Sequence, residues 1–193
     1  MARNREFNTE EVLDKAVELF WHKGYNGVST QEMIDDFGIS KSSMYGAFGD
    51  KKQWFIAALT RYQKRAIMEV QSSFQEYDNV KDMIQKILES TAENAMSDKN
   101  HKGCFIVNSA IELAPHDIQV ATILRNHRDM LETILVEAIT KGIEKKEFSK
   151  DKDPKVLSRL LCCTISGIEA DSKFIEQTSY FESCIKTIMK VLD

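Results

Sequence analysis

The sequence is poor in the two residues that interrupt helices. Among 193 residues there are only 2 prolines and 8 glycines. Because both residues are disfavoured inside helices, this scarcity predicts a mostly helical chain. Hydrophobic residues make up 42% of the chain, which is too much for a disordered protein. We expect one domain, or two small ones, with a core large enough to need no disulfide or metal.

Long apolar runs are missing as well. No stretch approaches the roughly 18 apolar residues that a membrane-spanning helix needs. The first residues, MARNREFNTEEV, lack the apolar segment of a secretory signal. We therefore expect no membrane partner and a cytoplasmic location. There are 4 cysteines, with no C-x-x-C pair and no histidine at zinc-finger spacing. Neither a metal site nor a cofactor is expected.

The chain also lacks an excess of positive charge. Lys and Arg number 26 against 30 Asp and Glu, which gives a formal net charge of −4. Such a balance provides no general attraction to nucleic acid. Residues 1–65 are less acidic than the remainder, but they do not form a basic domain. Any DNA-binding role must therefore rest on the geometry of a motif.

Local signals near the N-terminus predict two short helices joined by a tight turn. Ser29 and Glu32 have the spacing of a capping box, which starts a helix over 30–37. The turn Gly38-Ile39-Ser40 follows, and its serine caps a helix over 41–48. Two short helices around a turn that contains glycine are typical of a helix-turn-helix.

The remainder of the chain is predicted to form longer helices. Apolar residues at helical spacing indicate helices over 80–96, 104–113 and about 118–146. Polar segments at 97–103 and 147–153 separate these helices and the two that follow. The fold class expected from the sequence is therefore all-α.

The last two helices carry matching apolar stripes, wide enough to face both their own domain and a second surface. Two such helices per chain suit a four-helix bundle between two copies with two-fold symmetry. The alternative is a monomer in which both helices simply cover the core. The residues predicted for the dimer interface are Leu157, Leu160, Leu161, Thr164, Ile168, Phe181, Cys184, Ile185 and Ile188.

These motifs resemble the TetR family of one-component transcriptional repressors. The resemblance covers roughly residues 8–60 and includes GYNGVST at 24–30 and FGISKSSMYGAFGDK at 37–51. GCFIVN and ELAPHD, further along the chain, are similar to one broad subgroup of the family. The resemblance implies a three-helix DNA-binding domain over 1–52, and a helical effector-binding and dimerisation domain over 53–193. The partners it implies are a palindromic double-stranded operator, a small organic effector and a second copy of the chain.

The resemblance also implies which residues contact DNA. Hydroxyl and N–H groups at the start of the first short helix can hold a phosphate. The N-terminal residues of the second helix meet base edges in the major groove. A glycine and an alanine stand where many members have a bulky or basic pair, and the glycine would allow the backbone to approach DNA closely. The residues predicted to bind DNA are Ser29, Thr30, Lys41, Ser42, Ser43, Tyr45, Gly46 and Lys51.

Alternatives remain for these residues. Ser42 and Ser43 could be ordinary solvated helix surface, and Tyr45 could pack partly into the core. The protein could also be an interaction module that keeps the helix-turn-helix as a scaffold. An enzyme is the rival class, but no P-loop, G-x-S-x-G or H-E-x-x-H motif occurs.

An effector pocket would be lined by inward-facing residues of the later helices. A mostly apolar lining with scattered Asn, Ser and Glu predicts an organic effector, and a cationic one if Glu112 or Glu169 points inward. Ordinary core packing is the alternative at every position. The predicted residues are Phe105, Asn108, Ser109, Glu112, Met130, Leu131, Ile134, Cys162, Ser166 and Glu169.

Cys104 supports a second hypothesis, a thiol sensor of oxidants or electrophiles on the same DNA-binding domain. It follows Gly103 at a predicted helix start, where the helix dipole would lower the pKa of the thiol. A buried, inert thiol is the alternative.

Overall fold

The computed structural model describes residues 7–192, and the regular structure in that range is helical throughout. The all-α prediction is confirmed, and the two short helices of the predicted helix-turn-helix have the predicted bounds. The nine described helices are α1 (Thr9–Lys23), α2 (Thr30–Phe37), α3 (Lys41–Phe48), α4 (Lys51–Glu76), α5 (Val80–Ser97), α6 (Phe105–Glu112), α7 (Ile118–Glu144), α8 (Pro154–Asp171) and α9 (Thr178–Leu192).

Caps and glycines fix where α2 begins and ends. The hydroxyl of Ser29 accepts the N–H of Glu32 at 3.1 Å, and the Glu32 carboxylate accepts the N–H of Ser29 at 3.4 Å. This reciprocal pair is the predicted capping box. Gly38 ends α2 with a φ of 67°, in the left-handed region that favours glycine. The turn between α2 and α3 thus follows from two local sequence signals.

The first half of α4 completes an N-terminal core. Trp54 and Phe55 on α4 are buried, and the rings of Phe20 and Phe55 meet edge to face with centroids 5.2 Å apart. The ring of Phe105 on α6 also meets the Phe55 ring edge to face, with centroids 5.4 Å apart. The N-terminal core therefore continues into a later helix. The domain division at residue 52, which falls inside α4, stays a prediction.

A second core lies among α5, α7, α8 and α9. Its buried residues include Leu88, Leu135, Ile139, Leu161 and Phe181. The second half of α4 joins this core through Ile67, so α4 runs along both cores. None of the helices in residues 7–192 is long and apolar enough to cross a membrane.

Candidate DNA-binding and effector sites

Helix α3 turns a polar face to solvent because its one buried residue faces the other way. Met44 is fully buried, and its carbonyl oxygen accepts the indole N–H of Trp54 at 3.0 Å. This contact fixes α3 against α4. Tyr45 has 46% of its surface in solvent. The exposed residues of α3 that were predicted to contact DNA are Lys41, Ser42, Tyr45 and Gly46.

Three serine hydroxyl groups meet at the start of α3. Ser40 donates its hydroxyl to Oγ of Ser43 at 2.9 Å and accepts the N–H of Ser43 at 3.1 Å. Oγ of Ser42 lies 3.0 Å from Oγ of Ser40. Ser42 and Ser43 are therefore held together at a helix N-terminus, where backbone N–H groups favour anions such as phosphate.

The other residues predicted to contact DNA have varied surroundings. Ser29 is exposed and Thr30 half-buried at the start of α2. Lys51 is half-buried, with Nζ 4.2 Å from the centroid of the Tyr25 ring, and burial lowers its pKa. A Cβ atom added at Gly46 would meet nothing within 4 Å. The fold of the single chain therefore does not itself require glycine at this exposed position.

Glu112, at the end of α6, holds the loop between α1 and α2. Its two carboxylate oxygens accept the backbone N–H groups of Tyr25 at 2.9 Å and Asn26 at 2.7 Å. The chain can approach this closely because Gly24 has no Cβ, and one built there would lie 2.8 Å from the Glu112 carboxylate. Glu112 was predicted to contact an effector. The structure corrects this prediction, because its carboxylate is bound to the N-terminal domain.

Further contacts attach the same region to α1 and α4. The indole N–H of Trp21 donates to the carbonyl of Gly103 at 2.7 Å, and Nζ of Lys102 lies 4.0 Å from the Trp21 ring centroid. On the other side of α6, Lys52 forms an ion pair with Asp117 at 2.6 Å. The segment from residue 102 to residue 117 is thus fixed to the N-terminal domain before, at the end of and after α6.

A cavity of about 1280 Å³ lies beside α6. Its walls come from α1, α4, α5, α6, α7 and α8. Apolar side chains supply much of the lining, for example Val70, Ile87, Val107, Leu131 and Ile165. Pockets for organic ligands are mostly apolar with a few polar groups, and this cavity has that composition.

The residues predicted to bind an effector divide between the cavity wall and other places. Leu131, Ser166 and Glu169 line the cavity. The seven that do not line it are Phe105, Asn108, Ser109, Glu112, Met130, Ile134 and Cys162.

The apolar members of the seven are placed by packing or exposure. The Phe105 ring is enclosed by the N-terminal core, and Cys162 is buried in the second core with Ile134 packed against it. Met130 has 40% of its surface in solvent. Each lies on a predicted helix, but on a side that the cavity does not reach.

Asn108 and Ser109, two of the polar members, have their hydrogen-bonding groups paired within the chain. The amide of Asn108 donates to the carbonyl of Lys102 at 2.7 Å, and its Oδ1 accepts from Lys173 at 2.9 Å. The hydroxyl of Ser109 donates to the carbonyl of Phe105, one turn earlier, at 2.7 Å. Asn108 thus ties α6 to Lys102 and Lys173, and Ser109 bonds to the preceding turn of α6.

Sequence reasoning missed much of the cavity wall. No residue of α4 or α5 was predicted, although both helices line the cavity. His127 and Arg128 were missed as well. A signal for these two existed, since they are polar residues between the apolar positions Leu124 and Leu131 of one helix.

Polar groups of α7 and α8 meet on one part of the cavity wall. Nη2 of Arg128 donates to Oγ of Ser166 at 2.9 Å. Nδ1 of His127 is buried and has no hydrogen-bond partner among the described residues. Burial and the charge of Arg128 lower the pKa of His127 to about 4, so the imidazole is neutral at neutral pH. Burial raises the pKa of Glu169 to about 7, against the opposing effects of Cys104 and Arg128.

Cys104 is a buried thiol, and its pKa is raised and not lowered. It is the N-cap of α6, yet burial raises its pKa to about 12. The hydroxyl of Tyr62 donates to Sγ of Cys104 at 3.8 Å. Desolvation outweighs any help from the start of the helix, because a thiolate there would lose its water. The structure therefore favours the inert alternative for Cys104 over the thiol-sensor hypothesis.

The apolar stripes of α8 and α9 are only partly available to a second copy. Five of the nine residues predicted for the dimer interface are buried in the chain's own core, namely Leu157, Leu161, Ile168, Phe181 and Ile185. Leu160, Thr164 and Ile188 are half-buried and Cys184 is exposed. Each stripe is wide, and one of its sides packs into the chain's own core, which leaves only the other side for a second copy. Neighbouring apolar residues that remain exposed are Val156, Phe174, Tyr180 and Val191.

The N-terminal helices form a helix-turn-helix DNA-binding domain, since a short exposed helix is held by a glycine turn on a small helical core. The family model described as bacterial regulatory proteins of the tetR family matches residues 12–58. The model described as the tetracyclin repressor-like C-terminal domain matches residues 80–188. The chain belongs to the TetR family of transcriptional regulators.

Curated relatives agree with this family. The HTH-type transcriptional regulator YezE of Bacillus subtilis (strain 168) is 28% identical over 100% of both chains. The HTH-type transcriptional repressor ComR of Escherichia coli (strain K12) is 26% identical, over 89% of this chain and 82% of its own.

A solved structure shows the same fold. A cysteine mutant of the TetR family regulator CifR, complexed with 26 bp operator DNA, has a TM-score of 0.87. Its sequence is 22% identical, and the match covers 99% of this chain and 100% of the other. The relatives and the fold are thus those of transcriptional regulators.

Proposed function

We propose that this protein is a repressor that binds a palindromic operator as a dimer and leaves it when a small organic molecule enters the cavity. One observation carries the proposal. Helix α6 borders the cavity with Val107 and Ala110, and at its end Glu112 holds the α1–α2 loop. A ligand and the DNA-binding domain thus meet the same short helix.

On DNA, α3 lies in the major groove with Lys41 and the serine hydroxyls at its start against phosphates and base edges. Two copies reach a palindrome when their α3 helices stand about 34–36 Å apart, one turn of B-DNA, or a multiple of it. The CifR variant complexed with operator DNA and the relative named as a repressor support this use of the fold.

The second copy docks on the exposed face of α8 and α9. Leu160, Thr164, Cys184 and Ile188 lie on this face, where two helices from each copy form a four-helix bundle. Gly167 is exposed in the middle of α8, and a Cβ atom there would meet open space. A glycine at that place lets a facing helix approach closely.

Release follows from linkage. A ligand that fits the cavity better in one position of α6 shifts the equilibrium toward that position. Because Glu112 moves with α6, the α1–α2 loop and α3 move too, and the spacing of the two α3 helices changes. The ligand then weakens DNA binding by the same factor by which DNA weakens ligand binding.

The test is retention of DNA that flanks the protein's own gene, across a series of salt concentrations. The proposal predicts a saturable complex whose affinity falls steeply with salt, because bound phosphates release counterions. The variant that tests the site is Lys41→Ala with Tyr45→Ala. It changes only exposed side chains of α3. Retention no better than for random DNA, or retention unchanged in the double variant, would overturn it.

A further inference from the structure

The charges on the cavity wall differ in whether they are already paired. Lys102 forms an ion pair with Glu18, and Lys86 with Glu93. The guanidinium of Arg65 pairs with Asp14. The cations of these three pairs are already compensated by carboxylates.

Two groups inside the cavity are different. Arg128 is half-buried, makes a hydrogen bond to Ser166, and has no ion pair among the described residues. Glu169 is also half-buried on the facing helix, and its described neighbours include no cation within ion-pair distance. The cavity favours an anionic ligand if the charge of Arg128 must be balanced, and a cationic ligand if that of Glu169 must be balanced.

The two groups respond differently to burial. A guanidinium keeps its proton under all ordinary conditions, so Arg128 is a permanent positive charge. A carboxyl group can neutralise itself, and burial has already raised the pKa of Glu169 to about 7. Because Glu169 can take up a proton when an anion binds and Arg128 cannot lose one, the permanent charge for a ligand to balance is that of Arg128.

The groups that face Glu169 do not change this result. Tyr62 on α4 and Cys104 before α6 both have raised pKa values, so they are neutral. His127 on α7 is neutral because burial lowers its pKa to about 4. From the end of α5, Asp98 also lines the cavity, but its carboxylate accepts the N–H groups of Asn100 and Lys102.

Building on the proposed effector role of the cavity, we propose that its ligand is an amphipathic organic anion whose acid group binds Arg128. Nδ1 of His127 and the hydroxyl of Ser166 lie beside that group, and the apolar part of the ligand lies along α4 and α5 against Val70 and Ile87. Glu169 takes up a proton from solvent as the anion binds and then donates a hydrogen bond. A cationic ligand would leave Arg128 uncompensated.

Titration calorimetry with three probes of equal chain length tests the charge. The probes are decanoate, decylammonium and decanol. Decanoate should bind at least about tenfold more tightly than decylammonium, and its affinity should fall roughly tenfold from pH 7 to pH 8.5, where uptake of the proton becomes costly. At pH 7, titrations in two buffers of different ionisation enthalpy should show uptake of about half a proton for each decanoate bound.

Three variants locate the effect. Arg128→Met should weaken decanoate about tenfold or more and leave decanol unchanged. Arg125→Met is the matched control, since Arg125 lines the cavity one turn earlier but is exposed. Glu169→Gln should still bind decanoate, without the pH dependence and without proton uptake. Because Gln differs little in shape from Glu, this variant tests the idea even if Arg128→Met does not fold.

Several results would overturn the inference: tighter binding of decylammonium, equal loss of decanoate and decanol in Arg128→Met, or no binding of any probe. None of these affects operator retention by the protein without ligand, so the proposed function can survive them. Conversely, decanoate that binds at Arg128 but leaves the operator complex intact would support the ligand class and contradict ligand-driven release.

Discussion

The carboxylate of Glu112 accepts the backbone N–H of Tyr25 at 2.9 Å, across 87 positions of sequence. With the neighbouring bond to Asn26, this contact joins the end of α6 to the first loop of the DNA-binding domain. Both donors are backbone groups, so changing the side chain of Tyr25 or Asn26 leaves the two donors in place. Its strength depends on Glu112.

Glu112→Gln should uncouple α6 from the DNA-binding domain. A carboxamide has one oxygen instead of two, so one of the two charge-assisted hydrogen bonds is lost, and the free energy of unfolding should fall by about 1–2 kcal/mol. Ligand-driven release from DNA should weaken as well. Urea denaturation and DNA retention measure the two effects, with Glu137→Gln on the exposed side of α7 as control. An unchanged response to ligand would contradict the role given to α6.

Gly24→Ala should destabilise the chain for two separate reasons. Gly24 has a φ of 72°, which is unfavourable for alanine, and a new Cβ would lie 2.8 Å from the Glu112 carboxylate. We expect a loss of about 1–3 kcal/mol in the free energy of unfolding. Adding Glu112→Ala should recover part of that loss by removing the collision. If the double variant loses as much as the sum of the two single variants, the contact is not the cause.

Gly46→Ala should have the opposite effect on stability. Gly46 lies inside α3 and a Cβ there meets nothing, so alanine should stabilise the helix by about 0.5–1 kcal/mol. If the backbone at Gly46 approaches DNA, the same change should weaken operator binding. Thermal unfolding and DNA retention measured on one preparation separate the two effects. A variant that is more stable and binds DNA as before would show that no close approach occurs there.

Cys104 should react with thiol reagents only when the protein opens. Burial raises its pKa to about 12, so the reactive thiolate is scarce at neutral pH and increases as pH rises. Peptide mapping by mass spectrometry after iodoacetamide should show Cys104 unmodified in the folded protein and modified in urea. Cys104→Ser should bind DNA with the same sensitivity to oxidant as the original protein. Rapid modification in the folded state would contradict the assignment.

Gly167→Arg should break the dimer without unfolding the chain. The new side chain enters open space in the single chain but collides with a helix docked on that face. Light scattering should show a monomer, while circular dichroism shows unchanged helix content. Operator affinity should fall sharply, since one α3 helix cannot span both half-sites. Gln85→Arg, on the exposed side of α5, is the control and should remain dimeric.

Local features of the fold could be predicted from the sequence. The capping box of Ser29 and Glu32 and the glycine at position 38 act over a few residues, and both predicted helix bounds are correct. The charge state of Cys104 could not be predicted in the same way. Its position at a helix start is local, but it is buried among residues distant in the sequence, such as Tyr62, 42 positions away.

The residues that line the cavity were also hard to predict from local sequence signals. Its wall combines side chains of six helices, so membership depends on how the helices pack and not on any one periodic pattern. Leu131 and Ser166 were identified because they lie on inward-facing sides, whereas Arg128 was missed although it also lines the cavity, three positions before Leu131 on α7. For α8 and α9, the width of the stripes indicated both a core-facing side and a dimer-facing side. It did not indicate which residues lie on which side.

The two tryptophans of the chain occupy two different functional places. Trp21 lines the cavity, with its indole N–H bound to Gly103, whereas Trp54 is enclosed behind α3 with its indole N–H bound to Met44. Indole emission depends on the local field and on nearby quenchers, so the chain carries two natural optical reporters. Replacing either by phenylalanine leaves the other to follow cavity occupancy or helix-turn-helix movement alone. Stopped-flow fluorescence on such a pair of variants would show in which order the two regions change.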